Sequence, residues 1–231
     1  MKIDLHNFFK FYDEKNPKHV AAVEQLEVDL AAKCSDLMDD SANWVKIYRS
    51  KAVTPGVLPV PFYPQTDNYR DANRTCNSSA CAMCLEYFKP GTLQGAKGDD
   101  AYVQKVFAIG DSTDHTVQTK VLENYGIKSR FSYNLGFADL DRELAAGRPV
   151  VIGIYHRGTL SSPTGGHMVV VIGKRGDDYV VNDPYGSLND GYTGPVTNGK
   201  GVVYKKSDLT HRWLEKGRDK TGWGRIFDAK K

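Results

Sequence analysis

The amino-acid pattern changes near residue 149. After that point, short runs rich in β-branched or aromatic residues are separated by Gly, Asp, Asn and Pro, at 149–155, 167–173, 179–182, 201–205 and 223–227. Such runs are typical of sheet strands joined by turns. Strands do not alternate with helices as a parallel sheet requires, and helical patterns come first. The sequence therefore predicts an α+β fold with a helical half packed on an antiparallel sheet.

Helical patterns occupy most of the chain before residue 149. An aromatic-rich stretch at 4–12 precedes a segment, 18–38, whose apolar residues recur at steps of three and four, the period of one helix face. The segment 50–64 contains four prolines and a glycine, which favour an extended connector. We therefore predict an N-terminal helical hairpin, 1–54, and a main domain, 55–231. Further helices are predicted at 99–108, 114–125 and 137–146, with one early strand at 128–133.

One predicted helix begins at a cysteine. A polar loop runs into Cys76, the first residue of the helix that ends near Phe88. Unpaired backbone N–H groups and the helix dipole favour a thiolate at this position. The same N–H groups can receive the oxyanion formed when a thiolate attacks a carbonyl, and the amide of Gln65 can supply a second donor. Cys76 is therefore a candidate nucleophile, and Gln65 is a candidate oxyanion-hole residue.

The sheet half supplies partners for a cysteine nucleophile. His167 follows a Gly-Gly step at the head of one predicted strand, and Asp183 follows the next strand. A hairpin turn centred near Gly176 would pair residue 167 near residue 185, which places Asp183 within one diagonal step of His167. The two side chains can then share a hydrogen bond.

In that arrangement Asp183 fixes the tautomer of the imidazole, and His167 takes the proton of Cys76. Asn182 competes with Asp183 for the orienting role, because strand alternation points only one of the two toward His167. A histidine at a strand end and an aspartate before a proline also have ordinary structural explanations. A non-catalytic binding module with a decayed triad is the corresponding alternative.

The cysteine spacing suggests a different class of site. Cys76, Cys81 and Cys84 match the C-x₄-C-x₂-C run of plant-type iron–sulfur ferredoxins, and His156 or His167 would be available to complete a zinc site. The ferredoxin pattern needs a fourth cysteine downstream, and the sequence has none after Cys84. A helix starting at Cys76 places the other two cysteines on its apolar face. We therefore expect no metal and no cofactor.

Charge is unevenly distributed along the chain. The formal net charge is +3, and residues 200–231 contain ten Lys and Arg against four Asp and Glu. A basic tail with Tyr204, Trp213 and Trp223 suits an anionic polymer such as a cell wall, or it is a solvated face around packed tryptophans. No nucleic-acid-binding motif is present, so we predict no nucleic-acid partner.

Composition places further bounds on the chain. The 40% hydrophobic residues include no apolar run near the roughly 20 residues of a membrane span. The first 15 residues lack the apolar core of a secretory signal, so we expect cytoplasmic synthesis. Four cysteines are too few for a disulfide framework and are expected to be reduced. The oligomeric state is not predicted.

Three blocks of sequence, QTDNYRDANRTCNSSACAM, GGHMVVVIG and VVNDPYG, resemble the bacteriocin-processing-peptidase-like branch of papain-like cysteine peptidases, over roughly 57–205. The resemblance implies a papain-like fold with Cys76 as nucleophile, His167 as base, Asp183 as orienting residue and Gln65 at the oxyanion hole. The usual cysteine block of this family has Gly-Pro after the nucleophile, where this chain has Asn-Ser. That departure concerns the shape of the oxyanion hole.

The same resemblance covers leader peptidases, secreted peptidases and phage lysis proteins. The chain contains no transporter segment, which argues against leader processing, and its basic tail is similar to those of wall-degrading enzymes. We expect an endolysin-like cysteine endopeptidase or amidase that cleaves an amide bond in peptidoglycan, released to the wall during lysis or carried in a virion. The alternative is a peptidase with a protein or peptide substrate.

Overall fold

A computed structural model describes Asn16, residues 18–19 and residues 56–229. Internal contacts divide the chain into two units, Met1–Pro55 and Gly56–Lys231. The predicted helical hairpin of the first 54 residues lies almost entirely outside the described residues and stays a prediction. Among the described residues, no helix has the length and apolar character that crossing a bilayer requires. The predicted site of synthesis also stays a prediction.

The second unit contains helices and an antiparallel sheet. Its helices are α1 (Cys76–Phe88), α2 (Gly98–Ile109), α3 (His115–Asn124), α4 (Phe137–Ala145) and α5 (Lys206–Arg212). Its strands are β1 (Ser129–Leu135), β2 (Val150–Gly158), β3 (Pro163–Arg175), β4 (Asp178–Asn182), β5 (Val202–Tyr204) and β6 (Gly222–Phe227). The predicted elements agree with these bounds within a few residues, whereas the short helix α5 was not predicted.

The six strands form one sheet in the order β1-β6-β2-β3-β4-β5, and every neighbouring pair is antiparallel. The predicted α+β fold is therefore confirmed. The last strand, β6, lies between β1 and β2 rather than at an edge. Consecutive strands form the hairpins β2–β3 and β3–β4, as the short turns between them predict.

Side chains alternate between the two faces of the sheet. On β3, Met168, Val170 and Ile172 pack in a core with helix α1, whereas Val169 and Val171 pack in a second core with Leu140 of α4 and Leu209 of α5. Both faces of the sheet are covered, which explains why the central strands are continuously apolar instead of alternating with polar residues.

Helix α1 is buried around its whole circumference. Eleven of its 13 residues are buried, including the cysteines at positions 81 and 84. A helix that is enclosed on all sides needs small or apolar residues on every face, and the Ala, Ser, Cys and Met of this segment meet that need. The start of the helix is thereby held in a fixed position beside the sheet.

The basic C-terminal segment forms part of the sheet. Tyr204 is 2% exposed and Trp213 is 1% exposed, and Trp223 packs against both cores. A Cβ atom at Gly153 would overlap the ring of Trp223, so the glycine allows this ring to lie directly on strand β2. Tyr204 and Trp213 are therefore core residues, so any binding of an anionic polymer by this segment rests on its Lys and Arg side chains.

Candidate active site

Cys76 is the first residue of helix α1 and is partly exposed. The side chain of His167 and the backbone N–H groups of Met168 and Asn77 lie close enough to its thiol to lower the pKa of Cys76. The loop before it is fixed by Asn68, whose amide lies 2.8 Å from Thr75 Oγ1. The nucleophile candidate is therefore held between the helix start and the head of strand β3.

The structure brings His167 and Asp183 together. Nε2 of His167 lies 2.6 Å from Oδ1 of Asp183, and both side chains are buried. Strand β3 pairs with β4 as far as Val170 opposite Asn182, after a register shift between Val171 and Gly173, and continuing that count sets residue 167 level with residue 185. The register predicted from the position of the turn therefore agrees with the observed one. Because Nε2 is engaged by Asp183, the other ring nitrogen is left for Cys76.

The competing residue, Asn182, points elsewhere. Its Nδ2 donates to the carbonyl oxygens of Val60 and Pro61 at 3.2 Å each, and its Oδ1 accepts from the N–H of Gly201 at 2.9 Å. Asn182 thus ties the entry segment of the domain to the residue before strand β5. Of the two neighbours, only Asp183 is placed to orient the imidazole.

The carboxylate of Asp183 accepts hydrogen bonds from four donors, and Asn182 is not one of them. Its Oδ1 accepts from His167 and from the backbone N–H of Tyr185 at 3.0 Å, and its Oδ2 accepts from the hydroxyls of Tyr204 at 2.6 Å and Tyr192 at 3.2 Å. Burial and the negative charge of Asp183 raise the pKa of both tyrosines, so they remain protonated donors. Sequence reasoning did not find this role for either tyrosine, because no local pattern links them to residue 183.

Cys76 and His167 each favour the charged form of the other. Burial raises the pKa of Cys76, but the hydrogen bond and positive charge of His167 and two backbone N–H groups outweigh burial, so the pKa is lowered. Burial lowers the pKa of His167, but the carboxylate of Asp183 and the thiol of Cys76 outweigh it, so the pKa is raised. These directions favour a thiolate and an imidazolium at neutral pH.

Gln65 is buried beside the cysteine loop. Its Nε2 donates to the carbonyl oxygen of Ala72 at 2.7 Å, and its backbone N–H donates to the carbonyl oxygen of Pro184 at 2.8 Å. An amide nitrogen carries two hydrogens, so Nε2 has one further N–H, whereas the buried Oε1 has no hydrogen-bond partner. The position ties the cysteine loop to the residue after Asp183. The role of Gln65 at an oxyanion hole stays a prediction.

Comparison with known proteins now gives the family. The sequence profile of the Peptidase_C39 like family matches residues 57–221, well over half of the chain. This protein belongs to that family. The predicted resemblance to the bacteriocin-processing-peptidase-like branch of papain-like cysteine peptidases is thereby confirmed, and the chain is a C39-like cysteine peptidase. No curated protein matches it.

Two solved structures are similar to this C39-like peptidase. A C39-like peptidase from Bacillus anthracis has 15% sequence identity and a TM-score of 0.51, with 75% of this chain and 98% of that chain covered. A double glycine motif protease from an AMS/PCAT transporter, solved with its leader peptide, has 18% identity and a TM-score of 0.48, with 77% and 96% covered. The first likeness supports the papain-like fold.

Two further cysteines of the C39-like peptidase lie in the core of its described part. Cys81 and Cys84 are fully buried, and burial raises the pKa of both thiols. The Sγ atom of Cys81 lies 3.8 Å from Oδ1 of Asn77. Within residues 56–229, no group of three His, Cys, Asp or Glu side chains is placed to hold a metal ion. The metal alternative therefore finds no support in the described part of the chain, and Cys34 lies outside it.

A second histidine lies beside the first. The ring of His156 stacks on that of His167 with centroids 4.8 Å apart and an angle of 26°. Burial, the charge of His167 and the nearby Arg157 lower the pKa of His156 to about 4. His156 is therefore neutral at neutral pH and covers one face of the charged imidazole. The sequence places His156 near the predicted site and offers it as a possible zinc ligand, but it does not predict this stacking.

Proposed function

We propose that Cys76, His167 and Asp183 form the catalytic triad of this cysteine peptidase. The observation that carries the proposal is the 2.6 Å contact between His167 Nε2 and the buried Asp183 carboxylate, beside a cysteine whose pKa is lowered by His167. A nucleophile, a base beside it and a group that orients the base are the parts that covalent acyl transfer requires.

The proposed reaction has two stages. The thiolate of Cys76 forms a C–S bond with the carbonyl carbon of the scissile amide, and the carbonyl electrons move to oxygen. Backbone N–H groups at the start of α1 and the free N–H of Gln65 stabilise that oxyanion. The C–N bond then breaks as His167 protonates the leaving amine, which leaves a thioester on Cys76. His167 next removes a proton from water, whose oxygen attacks the thioester; the C–S bond breaks, which releases the acid and restores the thiolate of Cys76 beside the imidazolium of His167.

Asp183 supports both stages without touching the substrate. Its hydrogen bond holds His167 in one tautomer and orientation, and its charge stabilises the imidazolium. The hydroxyls of Tyr192 and Tyr204 donate hydrogen bonds to its other carboxylate oxygen, Oδ2. The tyrosines are therefore positioning residues in this proposal.

For the substrate, we propose an amide bond in the peptide part of peptidoglycan, cleaved in an endolysin-like role. Support comes from the basic composition of the C-terminal segment, whose Lys and Arg outnumber its Asp and Glu by ten to four over residues 200–231. The second candidate is a protein or peptide substrate, which the membership of a peptidase family supports equally well. Both candidates share the same chemistry at Cys76.

The decisive experiment compares the two substrates with one pair of proteins. Wild type and Cys76→Ala are incubated with purified cell walls, followed by turbidity, and with a mixed peptide library, followed by mass spectrometry. Loss of turbidity with wild type alone supports peptidoglycan, and peptide cleavage without clearing of walls favours the second candidate. Hydrolysis by Cys76→Ala would remove Cys76 from the mechanism.

A further inference from the structure

A groove lies against the imidazole side of the proposed triad. It has a volume of about 740 Å³. Thr66 and Asn73, from the loop that precedes Cys76, line one part of it. His156 of strand β2 and Tyr185, which follows strand β4, line another. The ring centroids of these last two residues lie 4.8 Å and 6.1 Å from that of His167. The groove therefore begins beside the proposed general acid.

Two arginines line this groove, Arg157 and Arg212. The guanidinium of Arg212 is held by backbone carbonyls at the end of strand β2. Its Nη1 donates to the oxygens of Tyr155 at 2.8 Å and Arg157 at 3.2 Å, and its Nη2 donates to that of Gly158 at 3.4 Å. These contacts fix the group in place, but neutral carbonyls leave its positive charge uncompensated.

No carboxylate among the described residues forms an ion pair with either arginine. In the loop that also lines the groove, the Oδ2 of Asp190 accepts from Nδ2 of Asn198 at 2.9 Å. Asp183 is buried, and its oxygens are occupied by His167 and the tyrosines. The groove thus presents two guanidinium groups that form no ion pair with a carboxylate of the described residues.

The chemistry of the triad sets which part of a substrate reaches this groove. In the first stage His167 protonates the amine of the leaving group, so the segment that follows the scissile bond must lie next to His167. The groove adjoins that ring through His156 and Tyr185. It is therefore placed to receive the leaving-group side of a bound peptide.

We propose that Arg212 and Arg157 select substrates that carry a carboxylate on the leaving-group side of the scissile bond. Both an Asp or Glu side chain and a free C-terminal carboxylate have this chemistry, and a guanidinium binds either through paired N–H donors. Arg212, held by three carbonyls, is the primary contact, and the more exposed Arg157 is the secondary one. This inference rests on the proposed triad, since the triad defines which side the leaving group occupies.

Two measurements test the inference. First, the Cys76→Ala protein is titrated calorimetrically with short leaving-group peptides that differ only in Glu against Gln near the amino end, or in a free against an amidated C-terminus. We expect at least one carboxylate form to bind about tenfold more tightly than its neutral partner, as for a hydrogen bond to a charged group. The two pairs of peptides distinguish a side-chain carboxylate from a terminal one. Second, the triad-intact enzyme is profiled on matched substrates by mass spectrometry.

Variants assign the preference to the groove. Arg212→Gln is expected to reduce the tenfold preference to about twofold, and Arg157→Gln to about fivefold, because the exposed group is better screened. Arg130→Gln on strand β1 removes the same charge outside the groove and is expected to leave the preference unchanged. Since Arg212 also holds strand β2, its variant is checked by thermal unfolding, and the exposed Arg157 gives the independent test.

The outcomes separate the inference from the proposed function. Equal binding and equal cleavage within both matched pairs, Glu against Gln and free against amidated C-terminus, with cleavage still dependent on Cys76, would overturn the inference and leave the triad standing. A preference that survives in both groove variants, or is lost equally in Arg130→Gln, would also overturn it. Tighter binding of the carboxylate without any Cys76-dependent cleavage would overturn the triad, and with it the assignment of this groove to the leaving group.

Discussion

Helix α1 presents Cys76 from a segment that is packed on every side, whereas Asp183 stands at the start of a glycine-containing loop that runs through exposed residues to strand β5. Three successive polar side chains after Cys76 each contact a neighbouring helix, in the pairs Asn77–His115, Ser78–Gln118 and Ser79–Asp99. Around Asp183, by contrast, several segments meet at a single carboxylate. Many separate contacts place the nucleophile. The orienting group, in contrast, lies in a single hydrogen-bonded cluster around the Asp183 carboxylate, which we call the hub and which includes His167, Tyr192 and Tyr204.

This difference predicts how each side responds to change. Loss of one contact around α1 leaves two other pairs and a closely packed core, so the helix start should stay in place. Loss of the carboxylate at residue 183 removes a partner from His167, Tyr192 and Tyr204 together. Activity and stability should therefore be coupled at Asp183 and separable at Cys76.

The largest expected effect is on activity at Cys76. Cys76→Ala should lower hydrolysis at least about 10⁴-fold, because the covalent step is lost, while the free energy of unfolding changes by less than about 1 kcal/mol. Initial rates and urea unfolding of the two proteins measure both quantities. A large loss of stability would show that activity and stability are coupled at Cys76 as well as at Asp183.

Asp183→Asn should affect both quantities. Activity is expected to fall about 10³- to 10⁴-fold as the tautomer of His167 is no longer fixed, and stability by about 2 kcal/mol as buried donors lose a charged acceptor. The pH dependence of activity should also change in a definite direction. Asp183 raises the pKa of His167, so the alkaline limit of activity should move to lower pH in the variant. An unchanged alkaline limit would contradict the assigned partner.

Tyr204→Phe isolates one contact of the hub. The hydroxyl donates at 2.6 Å to a buried carboxylate, so its removal should cost about 1.5–3 kcal/mol of stability and lower activity several-fold. Tyr133→Phe, at a side chain that is 68% exposed, is the matched control and should be neutral. Equal effects of the two changes would argue against a hub at Asp183.

The smallest effect is expected on the helix side, at Asp99. Burial raises the pKa of this carboxyl to about 6, so its charged form is disfavoured in the folded state. The folded protein then binds the proton more tightly than the unfolded chain, and stability falls as pH rises from about 4 through 6. Asp99→Asn keeps an acceptor for Ser79 and should flatten this dependence in urea unfolding, with activity nearly unchanged. A steeper dependence in the variant would reverse the assigned sign.

Local patterns were sufficient for much of this protein. The start of a helix at Cys76, the run of short strands after residue 149 and the pairing of His167 with Asp183 all follow from features within about 20 residues of each other. The tight turn between β3 and β4 fixes their pairing to within the one-residue shift between Val171 and Gly173, which was enough to predict that the two site residues converge.

Longer-range features were decided by the tertiary structure. Strand β6 lies between β1 and β2, the hydroxyl of Tyr204 meets Asp183, and the guanidinium of Arg212 meets carbonyls at the end of β2, more than 50 residues away along the chain. Periodicity records only which face of an element is buried, and it carries no information about which distant side chain fills a given position. The sequence alone thus determined the elements and the local His–Asp pair, and packing between distant segments decided what holds Asp183 and which charges line the groove.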